Sequence, residues 1–209
     1  MSLKFYFHPL SSYCHKALIA LYETGTPFEP VLVDLGNEAS RAAFLKVWPL
    51  GKFPVIRDAA RGHTVAESSV IIEYLAPGLI PRDPDRAWQT RLRDRFFDNY
   101  VHTPMQQIVG DRLRPADKRD PYGVDQAKTN LRKAYGLIAR EMSGEPWAMG
   151  DEFTLADCAA APALFYADMM VPIGPDYPGV AAYLERLKKR PSYARVLEEA
   201  APYLHMVPR

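Results

Sequence analysis

The sequence predicts an α/β unit over residues 1–76, a linker at 77–86 and an all-helical region over 87–209. Three observations carry this division. Leu3, Phe5 and Phe7 alternate with Lys4, Tyr6 and His8 at the period of a strand, and after Pro9 the residues Cys14, Ala17, Leu18 and Leu21 recur as one helical stripe. Residues 77–85 hold three prolines and one glycine, the composition of a connection. Beyond them Trp88, Leu92 and Phe96, then Ala127, Leu131, Ala134 and Ile138, keep the helical period.

The elements follow in order. The first strand turns into its helix through Ser11-Ser12, either of which suits the N-cap, because a hydroxyl accepts from the free N–H groups of a first turn. Thr24-Gly25-Thr26-Pro27 stops that helix. Residues 28–35 then read as a strand and 38–47 as a short helix, which predicts a βαβ unit with a parallel pair. Pro54 stands at the mouth of a third short strand, where its missing N–H is tolerated, and residues 62–65 give a weak fourth. Glu67-Ser68-Ser69 opens a helix carrying Val70, Ile71, Tyr74 and Leu75. In the helical region, 114–121 is a charged turn, and Thr154 and Asp157 have capping-box spacing, with Asp in place of the usual Glu or Gln. That motif belongs to folding, not chemistry. Helices over about 178–189 and 192–200 are separated at Arg190-Pro191-Ser192.

Composition narrows the function. The chain has 209 residues, 48% of them hydrophobic, enough for a sizeable core. Its 26 Lys and Arg stand against 25 Asp and Glu, so no bulk charge draws it to nucleic acid or an anionic membrane, and small partners are expected. The N-terminus has no basic start followed by an apolar run, and the longest apolar run, 158–167, is too short to span a bilayer and contains Pro162. A soluble, cytoplasmic protein is the expectation. Cys14 and Cys158 are far apart on helical stripes, which argues against a disulfide framework, and the five histidines show no paired spacing for a metal.

Four motifs stand in order along the chain: the serine-bearing turn at 11–14, Gly51-Lys52-Phe53-Pro54-Val55, Glu67-Ser68, and Thr154-Leu155-Ala156-Asp157. Taken together they resemble the cytosolic glutathione S-transferases over essentially the whole length. The resemblance implies a thioredoxin-like first domain that binds glutathione and an all-helical second domain that contributes a hydrophobic substrate pocket. It also implies a homodimer, a detoxifying transferase needing no metal, and a cis bond between Phe53 and Pro54. The class stays unassigned. Ser11-Ser12 resembles the Ser-Ser-Cys motif of the zeta class, but Tyr13 stands where the cysteine would be.

On this resemblance Ser11, aligned on Lys16-Ala17-Leu18-Ile19-Ala20-Leu21, occupies the place of the residue that contacts the glutathione sulfur, with Ser12 and Cys14 as alternatives. A hydroxyl there donates to a thiolate, and a helix N-terminus adds to the stabilisation. A phosphate-binding reading of the same helix end lacks a glycine-rich loop. The Phe53 backbone before Pro54 would pair with the tripeptide like an added strand, Glu67 would accept from its ammonium group, Ser68 would donate to its carboxylate, and Lys52 would add charge for a carboxylate. Tyr13, Tyr100, His102 and Met105 are the candidates for the second-substrate pocket. Tyr6 falls on the opposite strand face and reads as structural, while nothing in the sequence accounts for Trp48. Three activities fit: transfer of the thiolate to small hydrophobic electrophiles, glutathione-dependent isomerisation or thiol-disulfide reduction, and a non-catalytic ligand-binding or interaction module.

Overall fold

The computed structural model describes residues 3–142 and 144–208. Strands β1 (Leu3–Phe7), β2 (Glu29–Leu32), β3 (Val55–Asp58) and β4 (His63–Ala66) form one sheet in the order β2-β1-β3-β4. β1 is parallel to β2 and antiparallel to β3, and β4 is antiparallel to β3. The parallel pair expected around the first helix is therefore present. β2 is an edge strand, which accommodates Pro30 opposite Phe5.

Alternation along the strands sorts side chains to two faces. Leu3, Phe5 and Ile56 join the main core with helices α1 (Ser12–Glu23) and α3 (Ser68–Leu75). On the other face α2 (Glu38–Val47) presses Phe44 against Val33 and Val55. Tyr6 packs there, its ring 5.9 Å from that of Phe44, so its role is structural as alternation suggests. Trp48 packs on the same small core from the end of α2, which gives this residue the packing role that sequence did not disclose.

The helical region comprises α4 (Pro84–Phe96), a π-helical turn (Phe97–His102), α5 (Thr103–Arg112), α6 (Pro121–Glu141), α7 (Leu155–Met170), α8 (Pro178–Lys189) and α9 (Pro191–Ala200). α4 starts inside the segment read as linker. Asp83 caps it by accepting from the Arg86 N–H at 2.9 Å, and Pro84 fits the first helical position, where an N–H has no partner anyway. The π turn has a cause in Pro104, which cannot donate to the carbonyl four residues back. Just before it the Thr103 N–H reaches five residues back to the Asp98 carbonyl, and the Thr103 hydroxyl adds a bond to the same oxygen at 3.1 Å.

α7 is the axis of the second domain, buried along nearly its whole length. Its capping box is complete: the Thr154 hydroxyl accepts from the Ala156 N–H, and Asp157 accepts from the Thr154 N–H at 2.9 Å. The same carboxylate also accepts from the Ala148 N–H at 2.8 Å and the Tyr183 hydroxyl at 2.6 Å, tying α8 to the start of α7. The motif is a folding device, as expected. α1 lies between the sheet and α7, so Cys14, Ala17, Leu18 and Leu21 belong to one core shared by both domains. Burying each large side chain of that stripe stabilises the join by ~1.5–3 kcal/mol.

Candidate functional site

Strand register brings the first three sequence motifs to one end of the sheet. Tyr6 lies opposite Val55, and Val55 opposite Ala66. The turn after β1, the Phe53-Pro54 segment before β3 and the Glu67-Ser68 segment after β4 therefore emerge together. His8 links two of them, its ring stacked 6.0 Å from that of Phe53.

Ser11 is the N-cap of α1, with extended backbone (φ −77°, ψ 115°), and its Oγ accepts from the Cys14 N–H at 3.3 Å. It is half-buried, and among the described residues its own O–H has no acceptor. The two alternatives are differently placed. Ser12 is buried, and its Oγ is hydrogen-bonded to His102 Nε2 across the domain boundary. Cys14 is fully buried, and burial pushes its thiol up to about 12, the state of an inert core cysteine. Both observations speak against contact with a ligand sulfur.

The Phe53–Pro54 peptide bond is cis, as the family resemblance implies. Among the described residues the Phe53 N–H and C=O have no backbone partner, so the extended segment offers one donor and one acceptor. Pro54 is buried and Lys52 exposed. Glu67 is exposed and adopts φ 67°, the only non-glycine residue with positive φ among those described. Such a backbone costs on the order of 1–3 kcal/mol and collects at functional positions. Ser68, next to it, is buried at the first turn of α3.

Beneath this end lies a charge cluster that sequence reading missed. Lys16, 1% exposed, pairs with Asp94 at 2.6 Å and Asp98 at 2.7 Å and donates to the Ser69 hydroxyl at 2.8 Å. Ser69 donates to Asp94 at 2.9 Å, and Arg95 caps both carboxylates from the solvent side, at 2.8 Å and 2.5 Å. Burial pushes the Asp98 carboxyl up, opposed by Lys16. The signal was available: a lysine inside the apolar run 14–21, and two aspartates four apart on a later helix. The π turn places Asp98 and His102 toward α1 at once. Burial, helped by the Lys16 charge, lowers His102 to about 4, so its imidazole is neutral at pH 7.

The four residues expected in the second-substrate pocket divide. Tyr13 and His102, with ring centroids 4.2 Å apart, line a cleft of about 400 Å³ with Gln106, Gly110 and Arg114. Burial, then the Asp98 charge, raises the Tyr13 phenol to about 12, so it stays protonated and able to donate. Tyr100 does not belong there. It is 62% exposed and borders a separate groove with Trp88, Leu92 and Phe96, because the π turn points it away from α1. Met105 is 2% exposed and fills the core behind the cleft. Among the described residues no group of three or more His, Cys, Asp or Glu could hold a metal, and no helix is long and apolar enough to cross a membrane.

Comparisons with known proteins agree with this layout. The model of the glutathione S-transferase N-terminal domain matches residues 10–76, and that of the glutathione S-transferase C-terminal domain matches residues 121–186. A glutathione S-transferase of Pseudomonas putida is 26% identical, covering 94% of this chain and 92% of its own. The disulfide-bond oxidoreductase YfcG of Escherichia coli is 25% identical, covering 89% and 90% respectively. A glutathione S-transferase from Methylobacterium radiotolerans, solved in complex with glutathione sulfonate, is similar with a TM-score of 0.81 at 29% identity, over 93% of each chain.

Proposed function

The chain belongs to the glutathione S-transferase family, and from that premise we propose that it binds glutathione at this end of the sheet, ionises its thiol and directs the sulfur at an electrophilic carbon of a small hydrophobic compound. The observation that carries the reading is the Ser11 hydroxyl, half-exposed at the N-terminus of α1 with its proton uncommitted, while Ser12 and Cys14 are engaged elsewhere. The chemistry needs no covalent enzyme intermediate. The thiol proton leaves to solvent, Ser11 donates to the resulting anion beside the free N–H groups of the helix, and the sulfur lone pair forms the new bond to carbon as the bond from that carbon to its leaving group breaks, the group departing to solvent with the electron pair.

The remaining residues bind and orient the tripeptide. The Phe53 N–H and C=O pair with its backbone, the carboxylate of Glu67 takes its ammonium group, Ser68 and the start of α3 face its α-carboxylate, and Lys52 draws a carboxylate from the exposed side. The cleft between Tyr13 and His102 receives the electrophile, with Tyr13 as a donor to a polar substituent. Thiol-disulfide exchange through Cys14 is disfavoured by its burial.

The same reading includes a homodimer. Trp88, Leu92 and Tyr100, 55%, 60% and 62% exposed, make an apolar stripe along α4 and the π turn that a lone subunit would leave wet. A cytoplasmic location is consistent with two free, buried cysteines. Calorimetric titration with glutathione, followed by an ultraviolet difference spectrum of the complex at neutral pH, tests the central step. Heat of binding with a thiolate band is expected; no heat, or binding without the band, overturns it. Leu92→Glu should sediment as a monomer where the wild type sediments as a dimer.

A further inference from the structure

One wall of the cleft assigned above to the electrophile is a single helix face. Thr103, Gln106, Gln107 and Gly110 fall at i, i+3, i+4 and i+7 of α5, and Arg114 continues their line just past its end. Met105 and Ile108 of the same helix lie in the core, so the face turned to the cleft is the polar one. Tyr13 and His102 close the end nearer Ser11, since Tyr13 lies two residues beyond that serine in the first turn of α1. Among the described residues the lining of this cleft holds one cation, Arg114, with no Asp or Glu and no aliphatic side chain.

That cation is available to a ligand. Arg114 is exposed, and its Nη1 lies 3.5 Å from Asp111 Oδ1, an oxygen that already accepts from the Asp120 N–H at 2.6 Å. A guanidinium carries five N–H donors in a planar fork that matches a carboxylate, and this long contact engages one of them. The Thr103 hydroxyl is spent on the Asp98 carbonyl, so the exposed Gln106 and Gln107 amides and the protonated Tyr13 phenol supply the remaining donors. Gly110 leaves room between the two ends, because a Cβ there would meet nothing within 4 Å. α5 rises ~1.5 Å per residue, which sets Thr103 and Gly110 about 10 Å apart along the axis and fits a body of one or two rings.

We propose that the electrophile this cleft selects is an anion: a planar compound of one or two rings whose reactive carbon lies at the Tyr13 end and whose carboxylate lies at the far end, held by Arg114 and the Gln107 amide. An exposed ion pair alone adds little. Here the planar fork and a neutral amide grip one carboxylate while the rings pack on Tyr13 and over Gly110, so the pair forms between groups already ordered. A neutral compound of the same shape leaves Arg114 unused, and a cation is repelled. The inference rests on the reading of this cleft as the electrophile site, and within it Arg114 sets specificity without touching the reacting atoms.

The test uses the full chain with para-(chloromethyl)benzoate and para-(chloromethyl)benzamide, alike in shape and different in charge. In each the glutathione sulfur bonds to the methylene carbon as the carbon–chlorine bond breaks and chloride leaves with the electron pair, and kcat/KM is divided by the uncatalysed rate. Wild type should favour the benzoate about tenfold, the ratio expected for one charge-assisted hydrogen bond. Arg114→Gln should bring that ratio to about one, and Gly110→Leu, a better helix former that fills the cleft, should lower turnover of both. Binding of the unreactive para-methylbenzoate and para-methylbenzamide, read by ligand-observed NMR without glutathione, is independent of thiol chemistry and should show the same preference and the same loss in Arg114→Gln. Benzoate-selective binding with neither chloride turned over would overturn thiol activation and support this assignment. Turnover with a ratio near one in wild type, or an undiminished ratio in a folded Arg114→Gln protein, overturns the assignment and leaves thiol activation standing.

Discussion

Removal of the Ser11 hydroxyl tests the proposed chemistry and the local fold together, and the two effects separate. A free thiol of pKa about 8.5 is ~3% ionised at pH 7, and lowering it by two units makes it ~75% ionised, a shift of ~2.7 kcal/mol. One hydrogen bond to a charged group supplies ~1.5–3 kcal/mol and a helix N-terminus ~0.3–1 kcal/mol. Ser11→Ala should therefore return the bound thiol to a pKa of roughly 7.6–8.7 and reduce the thiolate at pH 7 to between ~2% and ~20%. The same substitution removes the acceptor for the Cys14 N–H, 3.3 Å away, and lowers stability by ~1 kcal/mol. Ser11→Asp separates these effects. It restores the cap and the stability but places an anion beside the sulfur, so its thiol should titrate at least as high as that of the alanine variant. The assay is the thiolate absorbance of the glutathione complex followed against pH, with urea unfolding of each variant alongside. Coincident titration curves for wild type and Ser11→Ala would refute the assigned role, whatever happens to stability.

Three further outcomes follow, two from buried groups and one from the exposed Glu67. Lys16→Met leaves Asp94 and Asp98 buried with only Arg95 to offset them, and should cost ~3–5 kcal/mol, seen by calorimetry as a melting point lower by roughly 10 °C. Burial lowers both His15 and His102 to about 4 in the folded protein, against 6.5 for an ordinary histidine. The unfolded chain therefore binds more protons between those limits, and the stability this contributes is present above pH 6.5 and lost as pH falls toward 4. Urea midpoints measured across that window should fall with acidification, and less steeply in His102→Gln. Glu67→Gly should gain ~1 kcal/mol of stability by relieving the backbone at φ 67° while weakening glutathione binding by ~10–100-fold; unchanged affinity would remove Glu67 from the site.

What the sequence discloses depends on whether a role is local. The capping box at Thr154 and Asp157, the parallel strand pair and the helix cap at Ser11 follow from neighbours in the chain, and each is visible as a spacing. Pairs that form across the fold are not. Nothing local connects Ser12 to His102, 90 residues on, or Lys16 to Asp98, 82 residues on. The second-substrate candidates show the same limit. Tyr13 and His102 do meet, but a π turn set by Pro104 sends Tyr100 to another face, and helical periodicity assumes a regular turn that this segment lacks. Trp48 was opaque for a related reason, since its partners Phe44 and Val55 come together only when α2 folds onto the sheet.

These long-range pairs share one element. α1 is tied to the second domain at three levels: Ser12 to His102 at its start, Lys16 to Asp94 and Asp98 one turn later, and Glu23 at its end to Arg190 at 2.6 Å and 2.7 Å and to the Ser192 hydroxyl. The helix whose N-terminus faces the proposed sulfur site is thus positioned by the domain that also lines the proposed electrophile cleft. The π turn serves both, since Asp98 anchors Lys16 while His102 holds Ser12 and packs its ring at a tilt against Tyr13. A shift of that turn would move the proposed sulfur site and the Tyr13–His102 cleft together, and the buried ion pairs, costly to separate once one partner is exposed, hold it in place. The alignment of the proposed sulfur site with the proposed electrophile cleft is in this way built into the domain junction rather than into either domain alone.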